Sequence, residues 1–357
     1  MAAQKSQHYV PKVYLRSFSA DVKRRSINLL NIGRRKTVPS ASIKHQCAGS
    51  YFYGEDKALD TLFGDLEGRY GGIVRKLVSG ELDTSSIDWL RMFVSLQHCR
   101  TRYALQRYRE FCERGAAITF KGKRLEPADA PALSHKEAMM GALSQFTNFR
   151  PAVEDLKFRI FRNETDIAFV TSDNPALLTN RFYLQQLKRD DFGIANSGAI
   201  LIMPIAPSLV ACFYDGCVYA TKGGSEFVSV DEPKDVLALN ELQYLSAHEN
   251  IYFSDFSDAE RLTAEFEAVC DLRPKDIVRI QQLVEVERSR IEKVYRMATD
   301  QADADSGRSN MLVFQTAKPL PRTWPSMIPF RNNKKTYENG SGVGFVRRPE
   351  WLTHMPS

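Results

Sequence analysis

Apolar residues recur at helical spacing from Glu55 to Val78, through Leu59, Leu62, Phe63, Leu66, Tyr70, Ile73 and Leu77, and this predicts an amphipathic helix. Gly71-Gly72 weakens it by about 1 kcal/mol per glycine relative to alanine, which predicts a kink or close packing there. A second helix is predicted from Ile87 to about Cys112, capped by Ser85 or Ser86. At about 100° per residue, Gln97 and Thr101 fall inside its apolar stripe, with His98 and Arg100 at the margins. Polar groups on a buried face need partners, so this helix is expected to carry part of a polar interior. Ser134-His135-Lys136-Glu137 is a capping box that opens a third helix, which Pro151 ends or kinks. Further helices are expected from Asp231 to His248, with Pro233 in the first turn, from Asp258 to Cys270, and from Pro274 to Met297.

The period changes to that of strands at four places. Ser26 to Ile32 alternates after the turn Asp21–Arg25, and Ser50 to Gly54 reads as a short aromatic strand. Lys157–Phe161 and Ile167–Thr171 predict a hairpin. Ala199–Pro204, Leu209–Asp215, Val218–Thr221 and Glu226–Val230 extend it into an antiparallel meander, with Asp215-Gly216 and Gly223-Gly224 as turns. Ile251–Ser254 closes the series, and Ile118–Phe120 is a candidate strand within the loop Gly115–Pro131. The fold class that follows is α+β, a central antiparallel β-sheet with helices packed on it and the N-terminal segment threaded into the same domain. One domain is expected over residues 1–299, with a helical layer at about 55–150, the meander at about 157–254 and C-terminal helices at 258–298. A polar linker at 300–310 and a basic Pro- and Gly-rich tail at 311–357 would follow.

Composition narrows the class. A chain of 357 residues with 43% hydrophobic content can build a sizeable core. Its mean hydropathy of −0.35 and 26% charged residues suit a globular protein. The longest apolar run, Ala199 to Tyr214, is broken by Pro204, Pro207 and Ser208, so no membrane span is predicted. The N-terminus lacks the apolar core of a signal peptide, and the six cysteines show no paired spacing; both predict a cytoplasmic protein with free thiols. Net charge is +6, unevenly spread. Residues 1–45 carry ten cations against Asp21 alone, and residues 318–357 carry seven against Glu338 and Glu350, so the body between them is acidic. The basic ends either hold nucleic acid or another phosphate-bearing partner, or fold back on that body.

Candidate chemistry concentrates in two short motifs. His8-Tyr9-Val10-Pro11 leads into Tyr14-Leu15-Arg16 and Phe18, an aromatic, proline-stiffened segment predicted to enter the core as a strand. His8 could transfer a proton or bind a metal near neutral pH, or serve as a structural latch. Ser172-Asp173-Asn174-Pro175 ends a predicted strand. Asp173 there reads as a general base or metal ligand and Asn174 as an oxyanion or phosphate donor, or both as turn formers. Arg16 and Arg100 suit bidentate phosphate recognition, while Arg102 reads as an ion pair to the acidic body. Gln97 and Asn240 complete the candidate ligand-binding set, Asn240 with the alternative of bonding a sheet edge. A divalent cation through Asp173 and His8 is the only cofactor these residues suggest, and no dedicated metal-ligand set is present. The chain has no phosphate-binding glycine loop, HExxH, zinc-type Cys/His cluster or GxSxG elbow, which argues against nucleotide hydrolases, zinc enzymes and serine hydrolases of those designs.

The opening signature, the Phe52-Tyr53 segment, Arg100-Thr101-Arg102, Ser172-Asp173-Asn174-Pro175 and Pro204-Ile205-Ala206-Pro207 together resemble a bacterial-centred family of unknown function, DUF4238, in order over roughly residues 7 to 255. The resemblance implies an architecture and a candidate site but no reaction. Two functions are therefore expected. One is an enzyme acting on a phosphate-containing substrate, nucleic acid or nucleotide, with His8 and Asp173 as acid and base. The other is a non-catalytic module that binds nucleic acid or protein, an effector of a defence or competition system among its forms.

Overall fold

The structure is a computed structural model that describes residues 5–55, 57–121, 133–221, 224–288, 293–300 and 310–352. In chain order the N-terminal part holds β1 (Ser6–His8), α1 (Lys12–Leu15), β2 (Ser26–Asn31), β3 (Lys36–Ser42) and β4 (Ala48–Ser50). The helices α2 (Lys57–Val78), α3 (Thr84–Cys99), α4 (Arg102–Lys121) and α5 (His135–Phe149) follow. Then come β5 (Lys157–Asn163), β6 (Thr171–Ser172), β7 (Leu177–Thr179), a π-helical turn at Phe182–Leu187, β8 (Ile200–Ala206), β9 (Leu209–Tyr214) and β10 (Phe227–Val230). α6 (Pro233–Ser246), β11 (Asn250–Phe253), α7 (Ala259–Glu267), β12 (Val278–Arg288), β13 (Lys293–Met297) and β14 (Asn310–Thr316) complete the regular elements used below.

The α+β class holds, with the strands divided among sheets. A five-stranded sheet runs β10-β5-β9-β8-β7 and a four-stranded sheet β3-β2-β11-β6. All pairs in them are antiparallel except β10 with β5. β8 and β9 are buried along their whole length. A strand covered on both faces needs a continuous apolar run, and this explains the long hydrophobic stretch ending at Tyr214. α3 packs against β8, and α6 bridges the two sheets by touching β6, β7 and β10. α6 does so with side chains that imitate backbone. Asn240 accepts from Val170 N–H at 2.9 Å and donates to the Ala168 carbonyl at 3.0 Å, while Gln243 accepts from Ser172 Oγ at 2.9 Å and donates to the Pro175 carbonyl at 3.0 Å.

Several predicted elements differ from those observed. The single helix 87–112 is two helices broken at Arg100-Thr101, because Thr101 Oγ1 accepts from Ala104 N–H at 3.1 Å and so caps α4. Asp83, not Ser85 or Ser86, caps α3 by accepting from Ser86 N–H at 2.7 Å. Residues 118–120 are helical, in α4. The hairpin predicted at 157–171 does not form. β5 pairs with β9 and β10, whereas Thr171–Ser172 pairs with β11 in the other sheet, since Phe169 N–H is taken by the Pro207 carbonyl at 2.9 Å and the chain turns away. Val218–Thr221 is a turn whose Tyr219 bridges Phe330.

The largest change is at 274–297, predicted as a charged helix and part of the C-terminal helices 258–298. It is instead β12 and β13, which with β14 make a three-stranded antiparallel sheet. The β-branched residues Val278, Ile280, Val284 and Val286 favour strand, and Val278, Leu283 and Val284 are buried there. The tail thus begins with a strand, and it packs on the body at Met327, Ile328 and Trp351. Of the predicted linker 300–310, residues 301–309 lie outside the described residues, as does Gly223 of the predicted turn.

Candidate functional site

The N-terminal motif is mostly helical beyond His8, not a strand into the core: Pro11, with φ −59°, precedes α1 and a 3-10 turn at Arg16–Phe18. Proline fixes that φ and gives up an N–H the first helical turn cannot pair anyway. Tyr14 and Phe18 are fully buried, each such burial contributing about 1.5–3 kcal/mol. Tyr14 Oη donates to the Pro204 carbonyl at 2.6 Å and also meets Thr171 Oγ1, so one phenol joins the motif to both sheets. Tyr70 Oη from α2 donates to the neighbouring Ile205 carbonyl at 2.6 Å. The predicted polar interior is present beside them. Gln97 and Thr101 are buried, and Gln97 donates to the Tyr9 carbonyl at 2.8 Å and accepts from Arg100 Nε at 2.8 Å. Arg100, only 1% exposed, lies over the Phe63 ring and pairs with Glu67 at 3.1 Å.

His8 and Asp173 are not brought together by any contact among the described residues. The His8 imidazole bonds the Lys44 carbonyl at 3.2 Å. Burial, and next the Lys12 ammonium, lower its pKa, so it is neutral at pH 7. Asp173 is buried, and its two oxygens accept from the backbone N–H groups of His248 at 2.8 Å, Glu249 at 2.7 Å and Asn250 at 3.1 Å. Burial raises its pKa against the pull of those amides. A carboxylate so occupied closes the turn between α6 and β11, which opposes the expectation of a general base or metal ligand. No group of three or more His, Cys, Asp or Glu able to hold a metal exists among the described residues. Asn174 accepts from Thr101 Oγ1 at 3.2 Å and donates to the Ser246 carbonyl at 3.1 Å, clamping the break between α3 and α4. Asn240 follows its sheet-edge reading, and Arg102 pairs with Glu249 at 2.9 Å. These predicted site residues therefore form a hydrogen-bonded frame, buried at Gln97, Arg100, Asp173, Asn174 and Asn240.

Arg16 is the exception, because it is exposed and lines an open cleft of about 1030 Å³. The cleft lies between α1, the turn 22–25, α2, the segment 163–168 and the connection 206–208. The turn is fixed by Asp21, whose carboxylate accepts from Lys23 N–H at 3.0 Å and Arg25 N–H at 3.0 Å; these bonds hold its pKa below the usual carboxylate range. Arg24, at φ +49°, turns the chain over and is bonded to the Asp21 carbonyl at 2.8 Å. Lys23, Arg24 and Arg25 therefore project together, and Arg75 faces them from α2. Among the described residues five cations, counting Arg16, meet one lining carboxylate, Asp166. None of the five is ion-paired among the described residues. Val22, 98% exposed, and Val78 add apolar surface at the rim.

The other basic end behaves differently. Arg347 and Arg348 pair with Asp155, Arg322 pairs with Glu241, and Arg331 donates to the carbonyls of Gly216 and Tyr219. Those tail cations fold back on the body, as the alternative reading of the basic ends expected. The sequence signal for the cleft was the run Lys23-Arg24-Arg25 in the turn that Asp21 opens; Arg75 could not be assigned to it without knowing that α2 lies opposite.

Fold and cleft define an α+β protein with an unneutralised basic trough beside an aromatic N-terminal latch. The chain matches the model of a family described as a protein of unknown function (DUF4238) over residues 6–257, and it belongs to that family. No curated protein and no solved structure matches it. No helix among the described residues is long and apolar enough to cross a membrane.

Proposed function

We propose that the protein binds the phosphate backbone of a nucleic acid in the cleft of Arg16, Lys23, Arg24, Arg25 and Arg75. The observation that carries this reading is the contrast between the two basic ends. Arg322, Arg347 and Arg348 of the C-terminal end are paired with Glu241 and Asp155, while the cleft cations face solvent with Asp166 as the single lining carboxylate among the described residues. Unpaired cations in a concave surface concentrate field and attract anions. The volume, about 1030 Å³ in an open trough, exceeds what one phosphate fills and suits a run of them. No aromatic ring among the described residues lines the cleft, which favours contacts to phosphates over stacked bases. The phosphate-bearing ligand expected from the sequence is thereby retained. Acid/base chemistry by His8 with Asp173 is not, because both groups are spent on backbone partners.

The test is fluorescence anisotropy of a labelled oligonucleotide with the wild type and with Arg24→Glu/Arg25→Glu. Neither side chain bonds another described residue, so the variant should unfold at the wild-type denaturant midpoint while binding falls by tenfold or more, the equivalent of about 1.4 kcal/mol. Equal binding by both proteins, or binding of an acidic polypeptide in preference to the oligonucleotide, would overturn the proposal.

A further inference from the structure

A second cavity, of about 250 Å³, opens on the other side of Asn174, where α3, α4, the end of α6 and the segments around Arg273 and Lys318 converge. It is a built polar site. His98 on α3 places Nδ1 2.9 Å from the Ala176 carbonyl, a contact that requires an N–H there and leaves Nε2 as an acceptor. Arg107 of α4 fills that acceptor, with Nη1 3.3 Å from Nε2, and its other arm donates to Gln145 Oε1 at 3.2 Å. Phe149 stacks on the imidazole and fixes its plane. The histidine therefore aims the guanidinium and is held neutral, its pKa lowered first by burial and then by Arg107 and Lys318.

Lys318 lines the same cavity. Its Nζ lies over the Phe192 ring, 5.7 Å from the centroid, and has neither a hydrogen bond nor an ion pair among the described residues. Burial and the nearby Arg107 charge lower its pKa to about 7. Arg273 adds a third cation, bonded to the carbonyls of Tyr244 and Ala247. The remaining titratable groups on the wall are Tyr103, His248, Lys275 and Asp276. Asp276, the sole lining carboxylate among the described residues, pairs with Arg114 at 3.5 Å. Gathering three half-buried cations around one cavity is costly, and a dianion would offset it.

We propose that this cavity binds a small tetrahedral oxyanion, either free phosphate or the phosphate of a small phosphomonoester, held by Lys318 and Arg107 with His98 as a positioning residue. The site is distinct from the basic cleft and does not depend on the reading given to it. At about 250 Å³ it is smaller than pockets that enclose drug-sized ligands, and it suits a single charged group with a short stem. His98, Arg107 and Asn174 lie within the family-matched residues 6–257, whereas Arg273 and Lys318 lie beyond them, so the C-terminal segment completes the site.

The experiment is isothermal titration calorimetry of the full chain with inorganic phosphate, inorganic sulfate and phosphoethanolamine. The proteins are the wild type, Lys318→Met, Arg107→Gln and Arg24→Ala. The wild type and Arg24→Ala are expected to bind phosphate or the monoester. Lys318→Met and Arg107→Gln should weaken binding about ten- to a hundredfold, the effect of removing one charge-assisted hydrogen bond. Lys318→Met keeps the stem and removes only the charge, so it should fold at least as well as the wild type. Tighter phosphoethanolamine than phosphate identifies a monoester site, and the reverse order identifies a free-anion site. Sulfate, a dianion at all working pH values, should bind more weakly at pH 9 than at pH 6 in the wild type and independently of pH in Lys318→Met. Absence of binding by all three anions, undiminished binding in Lys318→Met, or loss of binding in Arg24→Ala would overturn the proposal.

Discussion

Replacing Asp173 by asparagine distinguishes a carboxylate that holds the fold from one that performs chemistry. One oxygen accepts from His248 N–H and the other from Glu249 and Asn250 N–H. The asparagine oxygen can serve one side only. Placed toward Glu249 and Asn250, it leaves an amide NH₂ facing the His248 N–H, donor against donor. One unsatisfied buried donor costs about 1–3 kcal/mol, and the two surviving bonds lose their charge assistance. The expected destabilisation is therefore about 2–4 kcal/mol for Asp173→Asn. Asp173→Ala strands all three donors and should cost more, a large fraction of the roughly 5–15 kcal/mol that holds a domain folded. Urea unfolding followed by circular dichroism gives both values. Hydrogen exchange at Glu249 and Asn250 should quicken in the alanine variant. A cost below about 0.5 kcal/mol for asparagine would refute the reasoning, because it would mean that the three amides do not need an ionised acceptor.

Three further outcomes follow from the same contacts. Tyr14→Phe keeps the ring in its buried seat but leaves the Pro204 carbonyl and Thr171 hydroxyl without their phenol, and it should lower stability by about 1–3 kcal/mol in chemical denaturation. The Lys318 contribution to stability should rise with pH from about 7 toward 10. Lys318 is neutral in the folded chain above about 7 while its unfolded pKa is near 10.4, so the unfolded state binds the extra proton in that window. Differential scanning fluorimetry should show it as a growing difference between the wild type and Lys318→Met, in which the opposing titration of the buried Cys47, Cys99 and Cys212 thiols cancels. His98 acts in the same direction at lower pH: its depressed pKa means that stability falls as pH drops below about 6.5, and His98→Gln should flatten that limb in the same fluorimetric scan.

The sequence carried the local structure wherever local rules decide it. The Ser134 to Glu137 box caps α5 with both reciprocal bonds, and Pro233 starts α6 at its first turn. The polar interior around Gln97 and Thr101 was legible because a helical stripe that contains polar residues has to satisfy them. What could not be read was which elements meet. The helix period at 274–297 arises from charges spaced along a strand, and the pairing of β12 with β14 across more than twenty residues has no local signature. The partner that clamps the capping Thr101 is Asn174, which lies 73 residues away. The same reason explains the candidate sites. His8 and Asp173 looked catalytic by residue type, and only the fold reveals that a carbonyl and three amides already occupy them. Conversely Lys318 sat in a basic tail with nothing to mark it, and only the approach of α3 and α4 sets it in one cavity with His98 and Arg107.

The central claim is that the cleft cations are free to replace the counterions of a nucleic acid. Its most direct measure is the salt dependence of oligonucleotide affinity. If all five engage duplex phosphates, the slope of log K against log salt should be about −4.5, and Arg24→Ala should reduce its magnitude by about 0.9. A slope near zero, or one unchanged in Arg24→Ala and Arg75→Ala alike, would contradict the account.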